Sequence, residues 1–339
     1  MLTYKDAWRI QNNRLTDIIQ LCGGNSPLLA VLSFYLTFRC NYQCVMCSAE
    51  EQIKTVGADC DIDLIIEKLE RTKFFPLKPF IKITGGEPLL HPDFLTFVRY
   101  LKKKGFRCSV NTNGFFISKY VRDLLDLKVD VVNITMLGPE GIYESISKRP
   151  GSYRVVQENV RKLAAAKKAM RTQRPKIIIN VPINEKNYLH INQTIDTVRD
   201  VDIQGVTVQH LMFSTHTPNG VQNIDKEKLF VEISRVARRK ERFPIRFFPD
   251  IQAKDLRGYY SDLEYSFTRN TCIMPWLMMS VAPNNQLNPC LYVQTKVGNL
   301  KEGETFLDFW NAAAFKGFRK VIKEKGVLPA CRRCCIRKY

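Results

Sequence analysis

An alternation of strand-like and helix-like segments constrains the fold of this chain more than any other feature. The strand-like segments lie at residues 31–38, 80–84, 107–111, 131–135, 176–181 and 205–211. Segments with helical periodicity lie between them. Parallel strands need crossover connections that are usually helices, so this alternation predicts an α/β fold with a parallel sheet. Six such units predict a partial (β/α)6 TIM-like barrel, an open version of the eight-unit barrel.

Both ends of the chain depart from this alternation. Residues 3–21 have helical periodicity and are followed by a cysteine and two glycines, which predicts an N-terminal helical segment within 1–27. Near the other end, short apolar pieces alternate with Pro, Asn and Cys. We therefore predict a barrel domain over 28–245, a linker over 246–270 and a small cysteine-rich α+β domain over 271–339.

The cysteine content and the hydropathy exclude several classes of protein. Eleven cysteines in 339 residues would suit a secreted disulfide scaffold only in a much shorter chain. Here most of them are clustered, and in a cytosolic protein that pattern indicates metal binding. No apolar stretch reaches the roughly 18 residues of a transmembrane helix, and no signal-peptide pattern is present. We expect a cytoplasmic protein without a transmembrane segment.

The chain is strongly basic, with 52 Lys and Arg against 33 Asp and Glu and a net charge of +19. Such a field favours anionic partners, including phosphate, nucleic acid and acidic membrane surfaces. In the plainer interpretation these side chains coat solvated helix faces. No zinc-finger, basic-zipper or RNP-like pattern is present, so we do not expect a nucleic-acid partner. The charge is compatible with an anionic substrate.

Three cysteines, Cys40, Cys44 and Cys47, follow the first predicted strand at the spacing C-x3-C-x2-C. On so short a loop the sulfurs converge on one object, and an iron–sulfur cluster suits thiolate ligands. The alternatives are reduced core cysteines or a structural zinc site. Zinc would need four ligands, for which Cys60 is the nearest further cysteine. Three ligands leave one iron without a protein sulfur, and an open metal position is where chemistry takes place.

A glycine pair ends the second predicted strand, in the sequence Thr84-Gly85-Gly86-Glu87-Pro88. Glycine allows a backbone to approach a ligand closely. The carboxylate and the exposed carbonyls beside the pair can accept hydrogen bonds from an ammonium group. Taken alone, Gly-Gly followed by Pro is also typical of an ordinary turn.

The two motifs, in this order and strand context, resemble the radical S-adenosylmethionine (SAM) superfamily. In that family three cysteines hold a [4Fe-4S] cluster, whose open iron chelates the amino and carboxylate groups of SAM. The resemblance implies that the cluster ligands are Cys40, Cys44 and Cys47. It implies that SAM is bound by Gly85, Gly86, Glu87 and Pro88, together with Met46, Asn113, Asn133 and Thr135. Met46 stands where the family often has an aromatic residue, and its thioether can fill the same space.

Four further cysteines lie near the C-terminus. Asn284-Asn285 separates short apolar segments and predicts a hairpin turn, because Asn tolerates positive φ. That hairpin would bring Cys272 and Cys290 together, and the C-x2-C pair Cys331 and Cys334 would complete a set of four. By spacing alone, zinc and a second iron–sulfur cluster fit equally well.

This tail resembles the SPASM/Twitch extension of radical SAM enzymes, which carries auxiliary [4Fe-4S] clusters. A single set of four cysteines implies one auxiliary cluster, as in the shorter Twitch form. Cys334 is preferred to its neighbour Cys335 as a ligand because it completes C-x2-C.

The resemblance implies an enzyme whose cofactors carry the chemistry. Reductive cleavage of SAM gives a 5′-deoxyadenosyl radical, which abstracts a hydrogen atom from a substrate carbon. An auxiliary cluster would then accept an electron, giving net oxidation of a small-molecule, sugar, lipid or protein substrate. Flavodoxin or ferredoxin would serve as the electron donor. At the end of the sixth predicted strand, Gln209 and His210 are candidate substrate contacts, because barrel active sites lie at such strand ends.

Three alternatives stay open. A radical epimerase would return a hydrogen atom from a cysteine, for which the remaining thiols are Cys22, Cys60, Cys108 and Cys335. A peptide- or protein-modifying maturase is the second, although only 39 residues precede Cys40, too few for a peptide-recognition domain. The third, from another class, is a zinc-stabilised basic nucleic-acid-binding protein without enzymatic activity.

Overall fold

The computed structural model describes residues 24–47, 49, 59–74, 77–210, 223–251, 253–261, 272–290, 295–326 and 328. The helix predicted at 3–21 and the cysteines at 22, 331, 334 and 335 lie outside the described residues. The described chain divides into two compact units. One draws on residues 1–39, 55–108 and 266–339, and the other on residues 40–54 and 109–265.

The described residues contain ten strands and ten α-helices, which alternate for the most part up to β8. The strands are β1 (Val31–Tyr35), β2 (Phe80–Thr84), β3 (Cys108–Thr112), β4 (Val131–Thr135), β5 (Lys176–Ile183), β6 (Gly205–His210), β7 (Ile245–Phe248), β8 (Met278–Val281), β9 (Gln286–Asn288) and β10 (Gly298–Asn299). The helices are α1 (Ile62–Arg71), α2 (Phe94–Lys103), α3 (Ile117–Asp126), α4 (Glu140–Ser147), α5 (Ser152–Ala169), α6 (Ile191–Asp196), α7 (Lys226–Ala237), α8 (Ala253–Ser261), α9 (Phe306–Trp310) and α10 (Ala313–Lys325).

In the first unit the strand order is β10-β9-β8-β1-β2. The central strand β1 runs parallel to both β2 and β8, with Val31 opposite Phe80 and Met278. Strands β8 and β9 form the antiparallel hairpin that the Asn-Asn pair predicts, and Asn285 takes a φ of +61° in its turn. Phe34 of β1 packs edge to face on a ring of α2 and on a ring of α9. The C-terminal hairpin thus shares a core with the first two strands.

In the second unit the strand order is β3-β4-β5-β6-β7, and every pair is parallel. Helix α5 packs against α3 and α4. Alternate strand residues, including Ile134, Ile179 and Val208, are fully buried, whereas their neighbours along each strand are partly exposed. Successive strand residues point to opposite faces. One face of this sheet is therefore buried. The other, the uncovered face, is left partly exposed by the described residues.

Six elements were not predicted individually from the sequence: α4, β7 and α8, and in the C-terminal region β10, α9 and α10. Helix α4 is short and lies in a segment with Gly and Ser. Strand β7 is only four residues long, and α8 follows it within the predicted linker; the domain boundaries stay a prediction. Among the described residues, no helix has the length and apolar character needed to cross a membrane.

Candidate cluster and cofactor site

The loop that carries the three clustered cysteines belongs to the second unit and is fastened to the end of α4. The backbone N–H of Gln43 donates to Ser147 O at 3.0 Å, and that of Val45 donates to Ile146 O at 3.2 Å. The Arg149 guanidinium donates to Asn41 O at 3.2 Å. These bonds join the loop to residues about 100 positions later in the sequence. The loop conformation is therefore set by the helix rather than by the loop residues alone.

Each of the three thiols is partly exposed. The Cys40 sulfur accepts a hydrogen bond from the backbone N–H of Tyr42 at 3.4 Å, and the Asn113 amide lies 4.0 Å from it. Burial raises the pKa of the Cys44 thiol, and the neighbouring Cys47 and Cys40 raise it further. Since nearby thiols disfavour one another's anionic forms, the three sulfurs lie close enough to repel as thiolates.

That donor set fits an iron–sulfur cluster. Metal ligation requires deprotonated thiols, and a bound cluster would offset the repulsion that raises the Cys44 pKa. Among the described residues, no three His, Cys, Asp or Glu side chains surround a position for a single metal ion. A cluster distributes its thiolates over several irons, so its ligands need not converge as closely as those of one ion.

The Gly-Gly-Glu-Pro turn belongs to the first unit, where it runs beside the residues that follow β1. The backbone N–H of Gly86 donates to Thr37 O at 2.7 Å, and that of Glu87 donates to Arg39 O at 2.9 Å. A Cβ atom on Gly85 would lie 2.3 Å from Thr37 O, and one on Gly86 would lie 2.4 Å from Arg39 O. The glycines are therefore required for a backbone-to-backbone approach, in addition to any approach by a ligand.

Glu87 is fully buried, and its carboxylate accepts a hydrogen bond from Leu89 N at 3.1 Å. It caps the short 3-10 turn Pro88–Leu90. His91 follows, buried, with Nε2 lying 3.0 Å from Cys60 O while Nδ1 accepts from Asp93 N at 3.1 Å. These partners assign the proton to Nε2. His91 therefore stabilises the turn that follows the glycine pair.

Arg39, immediately before the cysteine loop, was missed by the sequence reasoning. Its guanidinium pairs with Asp59, with an N–O distance of 2.6 Å, and donates to Leu90 O at 3.1 Å. Arg39, the residue before Cys40, is thereby hydrogen-bonded to Leu90, which lies two residues after the Gly-Gly-Glu-Pro turn. An arginine beside a cysteine motif offers no sequence signal for this role, because its partners are distant in the chain.

The predicted SAM contacts of the second unit lie at or beside strand ends. The Asn113 amide donates to Asn41 Oδ1 at 2.8 Å and so braces the cysteine loop. The Asn133 amide donates to Asn111 Oδ1, also at 2.8 Å, and Thr135 ends β4. Met46 is partly exposed within the loop. These polar groups lie where a ligand on the uncovered face could reach them.

The two candidate substrate contacts point to opposite faces. Gln209 is partly exposed and accepts a hydrogen bond from the Asn180 amide at 2.8 Å. His210 is 1% exposed, with Nδ1 lying 2.7 Å from the Tyr260 hydroxyl and its ring stacked on Phe247. Adjacent strand residues alternate in direction, so the two side chains cannot share one ligand on the uncovered face. Gln209 is the one on that face.

In the tail, Cys272 and Cys290 are partly exposed, while Cys331 and Cys334 lie outside the described residues. The Ser280 hydroxyl donates to Cys290 O at 3.2 Å. Burial raises the pKa of Tyr35, and the nearby Cys290 thiol raises it further. Cys290 therefore lies beside the end of β1.

The segment after Cys272 is held by a buried arginine. Arg319 of α10 donates to Pro275 O at 2.7 Å and to Gly24 O at 2.9 Å, and its guanidinium lies 4.2 Å from the centre of the Trp310 ring. Burial lowers the pKa of this guanidinium to about 10. The group remains charged at neutral pH, and its hydrogen bonds offset part of the cost of burying it.

Two family models match the chain. Residues 34–198 match the radical SAM superfamily, and residues 272–335 match SPASM, described as an iron–sulfur cluster-binding domain. The chain belongs to the radical SAM superfamily. It is a radical SAM enzyme with a C-terminal SPASM domain, which favours the enzymatic interpretation over the non-enzymatic alternative. Its cofactors are SAM, the [4Fe-4S] cluster of this family and auxiliary iron–sulfur binding by the SPASM domain, whose number of clusters is not fixed by the match. That the domain holds a single auxiliary cluster stays a prediction.

Several known proteins resemble this enzyme over most of its length. The tungsten-containing aldehyde ferredoxin oxidoreductase cofactor-modifying protein of Pyrococcus furiosus is 24% identical, covering 89% of this chain and 86% of the relative. The AdoMet-dependent heme synthase of Methanosarcina barkeri is 23% identical, covering 91% of this chain and 89% of the relative.

Among solved structures, Streptococcus suis SuiB bound to S-adenosylmethionine gives a TM-score of 0.68 at 16% identity, covering 93% of this chain and 73% of SuiB. SuiB bound to its precursor peptide SuiA gives a TM-score of 0.66. At this identity the likeness concerns the fold alone. It confirms the predicted α/β fold, with the parallel sheet of a radical SAM partial barrel and a small mixed C-terminal region.

Proposed function

We propose that Cys40, Cys44 and Cys47 hold the SAM-binding [4Fe-4S] cluster of this enzyme. The observation that carries the proposal is the loop itself, which is fastened to α4 and brings three thiols close enough for Cys47 and Cys40 to raise the pKa of Cys44 beyond the effect of burial. When bound, cluster and SAM together supply a 5′-deoxyadenosyl radical that abstracts a hydrogen atom from substrate carbon. The proposed SAM contacts are Met46, Gly85, Gly86, Glu87, Pro88, Asn113, Asn133 and Thr135.

In the tail, we propose that Cys272, Cys290, Cys331 and Cys334 hold one auxiliary [4Fe-4S] cluster. Four protein thiolates leave no open iron, which suits electron acceptance rather than substrate binding. The enzyme would then carry out a net oxidation, with flavodoxin or ferredoxin supplying the electron for SAM cleavage.

The test of these assignments is the iron and sulfide content of anaerobically reconstituted protein. Two clusters correspond to about eight irons per chain. A variant with Cys40, Cys44 and Cys47 all changed to Ala should retain about four irons per chain. A variant with both Cys272 and Cys290 changed to Ala should also retain about four. Cys108→Ala is the matched control, because this buried thiol is outside both proposed sets. About twelve irons would indicate a second auxiliary cluster, and zinc in place of iron in the wild-type protein would overturn the proposal.

For the substrate, we propose a small anionic molecule of the cofactor or cofactor-precursor class. Two relatives that resemble most of this chain are named for cofactor modification or synthesis, and the net charge of +19 favours an anion. The likeness to a peptide-bound SuiB structure favours a peptide substrate as the second candidate. The epimerase alternative has weaker support, since the described spare thiols, Cys60 and Cys108, are both buried.

Deuterium transfer separates the two substrate classes. Extract from cells of the source organism grown in deuterated medium would be divided by ultrafiltration and offered to the reduced enzyme with unlabelled SAM. We expect the low-mass fraction to give deuterated 5′-deoxyadenosine and the peptide and protein fraction to give none. Label arising only from the high-mass fraction would replace the small-molecule proposal with the peptide one.

A further inference from the structure

A row of polar residues crosses the uncovered face of the second unit. In the parallel registers Thr135 lies opposite Asn180, Asn180 opposite Thr207, and Thr207 opposite Arg246. Residues in direct register point to the same face of a sheet. The first three side chains are partly exposed and Arg246 is exposed, whereas Ile134, Ile179 and Val206, each one position earlier, are buried.

The row is uncharged until it reaches Arg246. The strand residues β3 to β7 of this unit include no Asp or Glu, and the other cation on the same face, Lys176, lies at the opposite end of β5. Neighbouring strands are about 4.8 Å apart, so the row extends roughly 14 Å from Thr135 to Arg246. That length suits a small molecule held at one end by a charge and along its body by hydrogen bonds.

Arg246 is the one arginine on strands β3 to β7, and it has no anionic partner among the described residues. Arg239 is paired with Asp196, and Arg161 with Asp200. Among the described residues, Arg246 forms no such pair. Its neighbour in register is Thr207, which is uncharged. A guanidinium binds carboxylate and phosphate through two parallel N–H donors. The Thr207 hydroxyl lies beside it in register and can donate to the same acid group.

We propose that Arg246 and Thr207 bind the carboxylate or phosphate of a small-molecule substrate whose hydroxyl or carbonyl groups lie along Asn180. The proposal rests on the proposed function and deepens it, because it names the acid-binding residues of the substrate. Asn180 is oriented for this role by its hydrogen bond to Gln209. A substrate so held would extend toward Thr135, a proposed SAM contact.

Arginine modification tests the proposal without knowledge of the whole substrate. Reconstituted enzyme would be treated with phenylglyoxal, alone and with inorganic phosphate or succinate, and labelling rates at individual arginines would be measured by peptide mass spectrometry. Arg238 is the internal control, because it is also exposed and its side chain has no ion pair among the described residues. We expect either anion to slow labelling at Arg246 by about tenfold at saturation, with little change at Arg238.

The variants sharpen the result. Thr207→Val should raise the anion concentration needed to protect Arg246, and Arg238→Gln should leave that concentration unchanged. Protection by phosphate alone assigns a phosphorylated substrate, and protection by succinate alone assigns a carboxylate. Equal protection of Arg246 and Arg238, or of neither, overturns the inference. If the wild-type protein does not cleave SAM, the proposed function is contradicted instead. Failure of the anion-binding proposal is therefore distinguishable from failure of the proposed function.

Discussion

Gly86→Ala should destabilise the first unit by disrupting the close approach of two backbone segments. The new Cβ would lie 2.4 Å from Arg39 O and 2.8 Å from Phe38 O. Both contacts are to backbone, so no side-chain rotation relieves them. For an ordinary contact the two segments must separate by about 1 Å, which breaks the 2.9 Å bond from Glu87 N to Arg39 O. Overpacking costs about 1–3 kcal/mol, and the lost hydrogen bond adds about 1 kcal/mol.

The assay is thermal unfolding of the reconstituted protein followed by circular dichroism under anaerobic conditions. A loss of about 2–4 kcal/mol corresponds to a fall in Tm of roughly 5–10 °C. Gly317→Ala is the matched control: its Cβ meets no heavy atom within 4 Å, and it lies within helix α10. That change should raise stability by about 0.5–1 kcal/mol. If Gly86→Ala melts with the wild type or above it, the close-approach explanation of the glycine pair is wrong.

Three further predictions concern the cysteine loop, a spare thiol and the tail. Asn113→Ala removes the side-chain hydrogen bond to Asn41 that braces the loop. The variant should therefore lose iron to a chelator faster than the wild-type protein does. An unchanged rate of iron loss would contradict the bracing role. Burial, and then two neighbouring aspartates, raise the pKa of Cys60, so little thiolate forms near neutral pH. The folded protein should therefore be alkylated there more slowly than a free cysteine at pH 8, as peptide mass spectrometry can determine; a fast reaction would show an accessible thiol. Arg319→Met leaves the buried Pro275 carbonyl without its donor, at a cost of about 1–3 kcal/mol, and also removes the donor to the partly buried Gly24 carbonyl. The exposed Arg122→Met should cost at most about 1 kcal/mol. Equal melting temperatures of the two variants would refute the anchoring role of Arg319.

The strands of the fold were predictable because their signals are local. Each strand of the second unit up to β6 overlaps a strand-like segment predicted from the sequence, and the turn at Asn285 has the positive φ that asparagine tolerates. Strand β7 was not predictable, because Ile245–Phe248 is short and contains a charge. The position of Arg246 in the polar row depends on that strand's register, which no local pattern reveals.

The candidate site was predictable in its residue types but not in its supports. The spacing of the cysteines indicates shared ligation, yet nothing near them in sequence indicates that Ser147 and Ile146 fasten the loop. Likewise the glycine pair predicts a close approach without showing that its partner is Thr37 and Arg39. Both supports are contacts between distant residues, and such contacts are decided by tertiary packing.

Reductive cleavage of SAM tests the central claim most directly. Anaerobically reconstituted, dithionite-reduced protein should convert SAM to 5′-deoxyadenosine and methionine, both quantified by mass spectrometry. Cys40→Ala, Cys44→Ala and Cys47→Ala should each reduce the product to the level of a protein-free reaction, while Cys108→Ala retains cleavage. Wild-type protein with its full iron content that yields no 5′-deoxyadenosine, or a triple variant of the loop that still does, would contradict the account.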